Sequence, residues 1–139
     1  MNARLTDAER NDIIAYRMQR ANDTLHDADI LIAENAYNAA VNRIYYACYY
    51  AVSALLLKYS FEYKKHHGAK TLFHQHFIAT KKIEIKHSVF FSQLFNSRNE
   101  GDYDDFIYFD VETVTAYRTK STEFIMTIQD ELNRQDETL

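Results

Sequence analysis

Asn38-Ala39-Ala40-Val41-Asn42-Arg43-Ile44-Tyr45-Tyr46-Ala47-Cys48-Tyr49-Tyr50-Ala51-Val52-Ser53-Ala54-Leu55-Leu56-Leu57-Lys58-Tyr59 is the stretch that decides how this chain folds. Proline is absent from the whole sequence and its only glycines are Gly68 and Gly101, so nothing inside this run breaks a helix. Apolar and aromatic side chains fall on nearly every side of it: Val41, Ile44, Tyr45, Tyr46, Tyr49, Tyr50, Val52, Leu55 and Leu56. A helix of that kind is buried on several sides, so this one is expected at the centre of the fold. Ala47, Ala51 and Ala54 form a strip of small residues against which another helix can come close.

The elements on either side read as helices too. Thr6-Asp7-Ala8-Glu9 has capping-box spacing, with the Thr6 hydroxyl and the Glu9 carboxylate each placed to accept from the other's backbone N–H. From there Ile14, Met18, Ala21, Leu25, Ala28 and Ile32 recur at helical intervals and predict a long first helix ending near Asn35. Beyond the central helix, residues 60–69 read as a connection closed by Gly68. A short helix over Lys70–Thr80 buries Leu72, Phe73, Phe77 and Ile78. Phe90, Phe91, Leu94 and Phe95 predict a further helix from about His87 to Arg98. Asp110 is placed to cap a last helix with the stripe Val114, Tyr117, Ser121, Phe124, Ile125, Ile128 and Leu132, and the tail after Arg134 is expected to fray. The pattern predicts an all-α protein, an up-and-down bundle of four to five helices in one domain over residues 1–139, with its core at about 6–133.

Composition narrows the function classes. The net charge of −4 conceals segregation: residues 1–57 carry five Arg/Lys against seven Asp/Glu, residues 58–87 seven against two, and residues 98–139 four against eleven. His66, His67, His74, His76 and His87 also lie in the basic middle. Such a patch attracts polyanions even on an acidic chain, although Lys64, Lys65, Lys81 and Lys82 are equally suited to solvating loops or answering the acidic C-terminal third. Cys48 is the only cysteine, which leaves no intramolecular disulfide, and inside an apolar helix it reads as a core thiol. The nearly apolar run Ile44–Leu57 is shorter than the roughly 18–20 residues of a membrane-spanning helix. The first residues lack the apolar stretch of a signal peptide. A cytoplasmic protein without a membrane partner is expected. His74 and His76 project about 200° apart on a helix, and His66 and His67 are adjacent, so neither pair has metal-site spacing. No glycine-rich phosphate loop is present, and no cofactor is expected.

The segment Ser97-Arg98-Asn99-Glu100-Gly101-Asp102-Tyr103-Asp104-Asp105 carries the chemistry. On the pattern above, Arg98 closes a helix on its apolar side, with a polar, acidic, glycine-containing turn after it. A guanidinium fork next to a polar residue and an acid/base group suits the binding or cutting of a phosphodiester. The bland alternative is that Arg98 caps its own helix and pairs with Asp102, and that Tyr103 is a packed ring. Arg43, set between Val41 and Ile44, needs a carboxylate such as Asp29 or Asp102, or a ligand phosphate.

With these blocks in order, Ala36 to Leu56, then His67-Gly68 with Phe73 and His76-Phe77, then Arg98-Asn99 with Asp102-Tyr103, the chain resembles the small stand-alone prokaryotic HEPN domains over residues 14–133. The resemblance implies a dimerising helical bundle in which the arginine segments of two protomers face one cleft. Many HEPN proteins are metal-independent ribonucleases of toxin–antitoxin and defence systems, with a signature of Arg, a polar residue and then His after four to six intervening positions. Arg98-Asn99 matches the first half, but positions 103, 104 and 105 hold Tyr103, Asp104 and Asp105. Tyrosine, with an ordinary pKa of about 10, exchanges protons poorly at neutral pH. The expectation is therefore a homodimer that binds nucleotide or RNA through Arg98, Asn99, Asp102, Tyr103 and His67. It would work with a nucleotidyltransferase partner or in a toxin–antitoxin or defence module, without the standard ribonuclease activity. Two rivals stand beside it. One is a ribonuclease toxin with a displaced base, for which Asp104, Asp105, His67 and His87 are the candidates. The other is a helical adaptor in which Arg98 is structural.

Overall fold

A computed structural model describes residues 4–134. Five helices form an all-α bundle: α1 (Asp7–Ala33), α2 (Tyr37–Lys58), α3 (His66–Phe73), α4 (Ile85–Tyr103) and α5 (Val111–Asn133). No strand occurs among the described residues. The tail after Arg134 lies outside them.

α1 begins as its sequence dictates, with Thr6 accepting from the Glu9 backbone and Glu9 from that of Thr6. Met18, Ala21, Leu25 and Ala28 of its stripe are buried, while Ile14 and Ile32 pack at the margin. α2 is central and touches α1, α3, α4 and α5, with Ala47, Ala51 and Ala54 fully buried. Asp110 caps α5 by accepting from the Thr113 N–H, and the α5 stripe from Val114 to Ile128 is buried.

A chain with two glycines turns sharply by other means. After α1 and α2 the left-handed position falls on Asn35 (φ 60°) and Ser60 (φ 60°). In both turns the next N–H reaches back to the third-last helical carbonyl, Ala36 to Leu31 and Phe61 to Leu56. These are Schellman ends, which usually employ glycine.

Both glycines sit inside helices, which corrects two expected boundaries. α3 starts at His66 rather than Lys70. Gly68 does not close the connection; it lets α3 lie against Tyr63, whose Cβ would be 3.2 Å from an added Cβ. The helix then widens into a π turn over His74–Ile78. α4 likewise runs through Asn99, Glu100, Gly101 and Asp102 to Tyr103, so Arg98 stands inside a helix instead of ending one. Gly101 lets the Phe109 ring pack against α4 there, because a Cβ would come within 2.8 Å of that ring. The connection to α5 carries the exposed side chains of Phe106 and Tyr108, with Phe106 at φ 63°.

Candidate functional site around Arg98

On α4, Phe91, Leu94 and Arg98 share one face, and all three are buried. The Arg98 guanidinium carbon lies 5.0 Å from the Tyr45 ring centroid and 5.5 Å from that of Tyr46. Ring faces attract a cation without neutralising it. Among the described residues the one carboxylate paired with it is Asp102, a helical turn on, at 3.9 Å from Nη1 to Oδ2. That is well beyond the roughly 2.7–2.9 Å of a strong charge-assisted hydrogen bond. Arg98 Nε is buried with no hydrogen-bond partner among the described residues. The Asp102 carboxylate is drawn elsewhere: Asn42 Nδ2 donates to its Oδ2 at 2.9 Å. Asn42 Oδ1 in turn accepts from Arg43 Nε at 3.0 Å and Nη2 at 2.7 Å.

This arrangement answers the question of Arg43. Neither expected carboxylate serves it: Asp29 binds Arg118 at 2.7 Å, and Asp102 binds Asn42. Arg43 satisfies itself on the Asn42 amide and on the face of Tyr46, at 5.1 Å. It is half-buried, and its charge needs no ion pair.

The histidine beside Arg98 is His66, the first residue of α3. Its Nδ1 lies 2.8 Å from the Tyr45 hydroxyl, a hydrogen bond whose direction follows the imidazole tautomer. Its ring stacks on Tyr49 with centroids 4.1 Å apart and planes 1° from parallel. Partial burial, and then the positive field of Arg98, hold its pKa below the usual histidine value. His66 is therefore mainly neutral at pH 7, with Nε2 left for solvent or a ligand. Burial drives the Tyr45 hydroxyl far above an ordinary tyrosine against the opposing pull of Arg98, so it keeps its proton. Lys70, one turn after His66, sits over Phe95 at 4.8 Å and adds a cation at the edge of the cluster.

The other sequence candidates fall elsewhere. His67 is exposed, and the hydrogen bond it takes part in through its side of the turn is to its own carbonyl, from the Thr71 hydroxyl at 3.1 Å. Asn99 is half-buried beside Arg98, without a side-chain partner among the described residues. Tyr103 is 75% exposed, which removes the packed-ring reading, and Asp104 and Asp105 are exposed beyond the end of α4. His87 is buried against Phe124 of α5, eleven residues before Arg98, or about 16 Å along the helix. His74 bonds Ser88 at 3.0 Å and His76 stacks on Phe61 at 4.0 Å. Cys48 is fully buried, and burial pushes its thiol far up. Among the described residues no group of three or more His, Cys, Asp or Glu side chains is placed to hold a metal.

The Arg98 cluster thus joins a fixed, incompletely satisfied guanidinium to a neutral imidazole and a protonated phenol. It is equipped to hold an anion and to accept a proton. A family model described as HEPN domain matches residues 14–132. The chain belongs to the HEPN family. A HEPN relative by sequence is a UPF0332 protein of Thermotoga maritima, 36% identical over 121 residues that cover 87% of this chain and 92% of that one. Two proteins of Methanocaldococcus jannaschii that carry the names "Putative toxin MJ0605" and "Putative toxin MJ0142" are also similar. MJ0605 is 33% identical over 74% of this chain and 76% of its own length. MJ0142 is 33% identical over 63% of this chain and 59% of its own. No described helix of this HEPN protein is long and apolar enough to cross a membrane.

Proposed function

We propose that this HEPN protein binds the phosphate of a nucleotide or RNA on Arg98, as one half of a homodimer, in a toxin–antitoxin or defence module or with a nucleotidyltransferase partner. The observation that carries this reading is the buried Arg98 guanidinium, held on Tyr45 and Tyr46 with Nε unpartnered and its carboxylate 3.9 Å away. A phosphate supplies the short, charge-assisted acceptors that this fork lacks. The toxin names of two relatives support the setting. Tyr103, Asp104 and Asp105, exposed and outside the cluster, give no support to the standard ribonuclease motif.

A second reading, ribonuclease action with a displaced base, is favoured by one observation, the neutral imidazole of His66 beside Arg98. In it, His66 Nε2 takes the 2′-hydroxyl proton while the 2′-oxygen bonds to phosphorus. The phosphorus–O5′ bond breaks, and the leaving oxygen receives the proton back, giving a 2′,3′-cyclic phosphate and a 5′-hydroxyl.

One experiment separates the two. Labelled single-stranded RNA is incubated at pH 7 in EDTA with the wild type, Arg98→Met and His66→Asn. Binding without cleavage, lost in Arg98→Met, supports the first reading. Cleavage that His66→Asn removes while binding persists establishes the second. RNA and nucleotide binding that is absent, or indifferent to Arg98→Met, overturns both.

A further inference from the structure

The seam between α1 and α2 holds a set of cations that the Arg98 cluster does not use. The Arg20 guanidinium lies 4.4 Å from the Tyr50 ring centroid. Arg17 donates from Nη1 to the Ser53 carbonyl at 3.1 Å, and its charge acts on Tyr49. Neither has a carboxylate partner among the described residues, whereas Arg10, Arg118 and Arg134 each bind one. The half-buried tyrosines between these arginines are in contact: Tyr46 to Tyr50 at 6.1 Å, Tyr50 to Tyr49 at 6.0 Å and Tyr49 to Tyr63 at 6.3 Å between centroids. Tyr49 and Tyr63 also share a hydroxyl hydrogen bond of 3.0 Å. The far end opens into a groove of about 680 Å³ lined by Arg17, Tyr49, Ser53, Tyr63 and Lys64, with Glu62 as its only carboxylate among the described residues. The near end is Tyr46, the ring that Arg98 also approaches.

We propose that this arginine–tyrosine lane is a second binding site, one that holds the single strand of an RNA whose phosphate sits on Arg98. The inference rests on the Arg98 reading and adds to it the class and length of the ligand. Single strands are bound by cations that follow the backbone and by rings on which unpaired bases stack, with little demand on sequence. Here one guanidinium is held on a ring and the other on a backbone carbonyl, with no carboxylate on either among the described residues, so little side-chain freedom is lost on binding and no ion pair has to break. From Tyr46 to Ser53 the lane is about 10 Å long at the helical rise, room for roughly three nucleotides at a base spacing of about 3.4 Å. A mononucleotide fills only the Arg98 end.

The test is fluorescence anisotropy on the full chain with labelled oligouridylates of two and eight nucleotides. The wild type is expected to bind the octamer at least about tenfold more tightly than the dimer. Arg17→Gln combined with Arg20→Gln brings the octamer back to the affinity of the dimer, leaves the dimer unchanged, and lowers the salt slope by about 1.4, or about 0.7 for each phosphate released. Arg20→Glu, at an exposed side chain, gives the same direction of change in a fold that thermal melting shows to be intact. An octamer bound no better than the dimer overturns the lane and leaves the Arg98 reading standing. An eight-base-pair duplex or an oligoglutamate peptide bound as tightly as the octamer also overturns it. Octamer binding lost in the Arg17/Arg20 variant but indifferent to Arg98→Met sustains the lane and removes the Arg98 reading.

Discussion

The two sides of the last turns of α4 differ more than their sequence separation suggests. Arg98 faces inward onto Tyr45, Tyr46 and the neighbourhood of His66, where it is 9% exposed. Tyr103 lies five residues later, and five residues of α-helix turn about 140°, which takes it off that face. It is 75% exposed, with Asp104, Asp105 and Phe106 exposed after it. Residues adjacent in a motif thus belong to different environments, while His66, thirty-two positions earlier, shares the environment of Arg98. Membership of the site follows helix phase and tertiary contact, and proximity in sequence is a poor guide to it.

The largest effect expected from breaking this contrast comes at the inward face. Arg98→Met, which keeps an unbranched stem over the tyrosine rings, should abolish phosphate binding in a nucleotide titration, a loss of tenfold or more. Arg98→Lys should recover only part of it, because an ammonium cannot reproduce the fork. Next in size is Gly101→Ala, whose added methyl meets Phe109 at 2.8 Å. Overpacking of that kind costs about 1–3 kcal/mol and should appear in chemical denaturation. Tyr45→Phe removes the hydroxyl partner of His66 and should cost about 1 kcal/mol. On the outward face, Tyr103→Ala and Phe106→Ala should each stay within about 0.5 kcal/mol of the wild type.

The smallest predicted effect is one of pH. Burial lowers the folded-state pKa of His66 and of His87 relative to the unfolded chain. The unfolded state therefore binds more protons in the interval below the ordinary histidine value of about 6.5, so this contribution is present above that pH and is lost as pH falls through and below it. The melting temperature should drop between pH 7.5 and 5.5. His66→Asn and His87→Asn should each make the drop shallower, and an unchanged slope in both variants would show that other groups control acid stability.

Much of the bundle was legible because its signals are local. Thr6 with Glu9 and Asp110 with Thr113 mark helix starts, and the stripes of α1 and α5 give faces that are in fact buried. Glycine treated as a breaker misplaces the start of α3 and the end of α4. Gly68 and Gly101 are instead places of close approach, to Tyr63 and to Phe109, and such approach is a tertiary fact. α3 also starts without a capping side chain, at the extended Lys65. The missed histidine follows from that boundary. Once the helix is carried back to His66, that residue precedes buried Ala69 and Phe73 by three and seven positions, the inward phase, while His67 falls outside it. The 2.8 Å contact with Tyr45 joins α3 to α2 across twenty-one residues, and no local pattern announces it.

The central claim is that the inward face of α4 holds the phosphate and the outward face does not. The direct measurement is a titration of labelled octauridylate into the wild type, Arg98→Met and the outward triple variant Tyr103→Ala, Asp104→Asn and Asp105→Asn. The account predicts that Arg98→Met binds at least about tenfold more weakly and that the triple variant binds at least as well as the wild type. Binding that survives in Arg98→Met and is lost in the triple variant would contradict it.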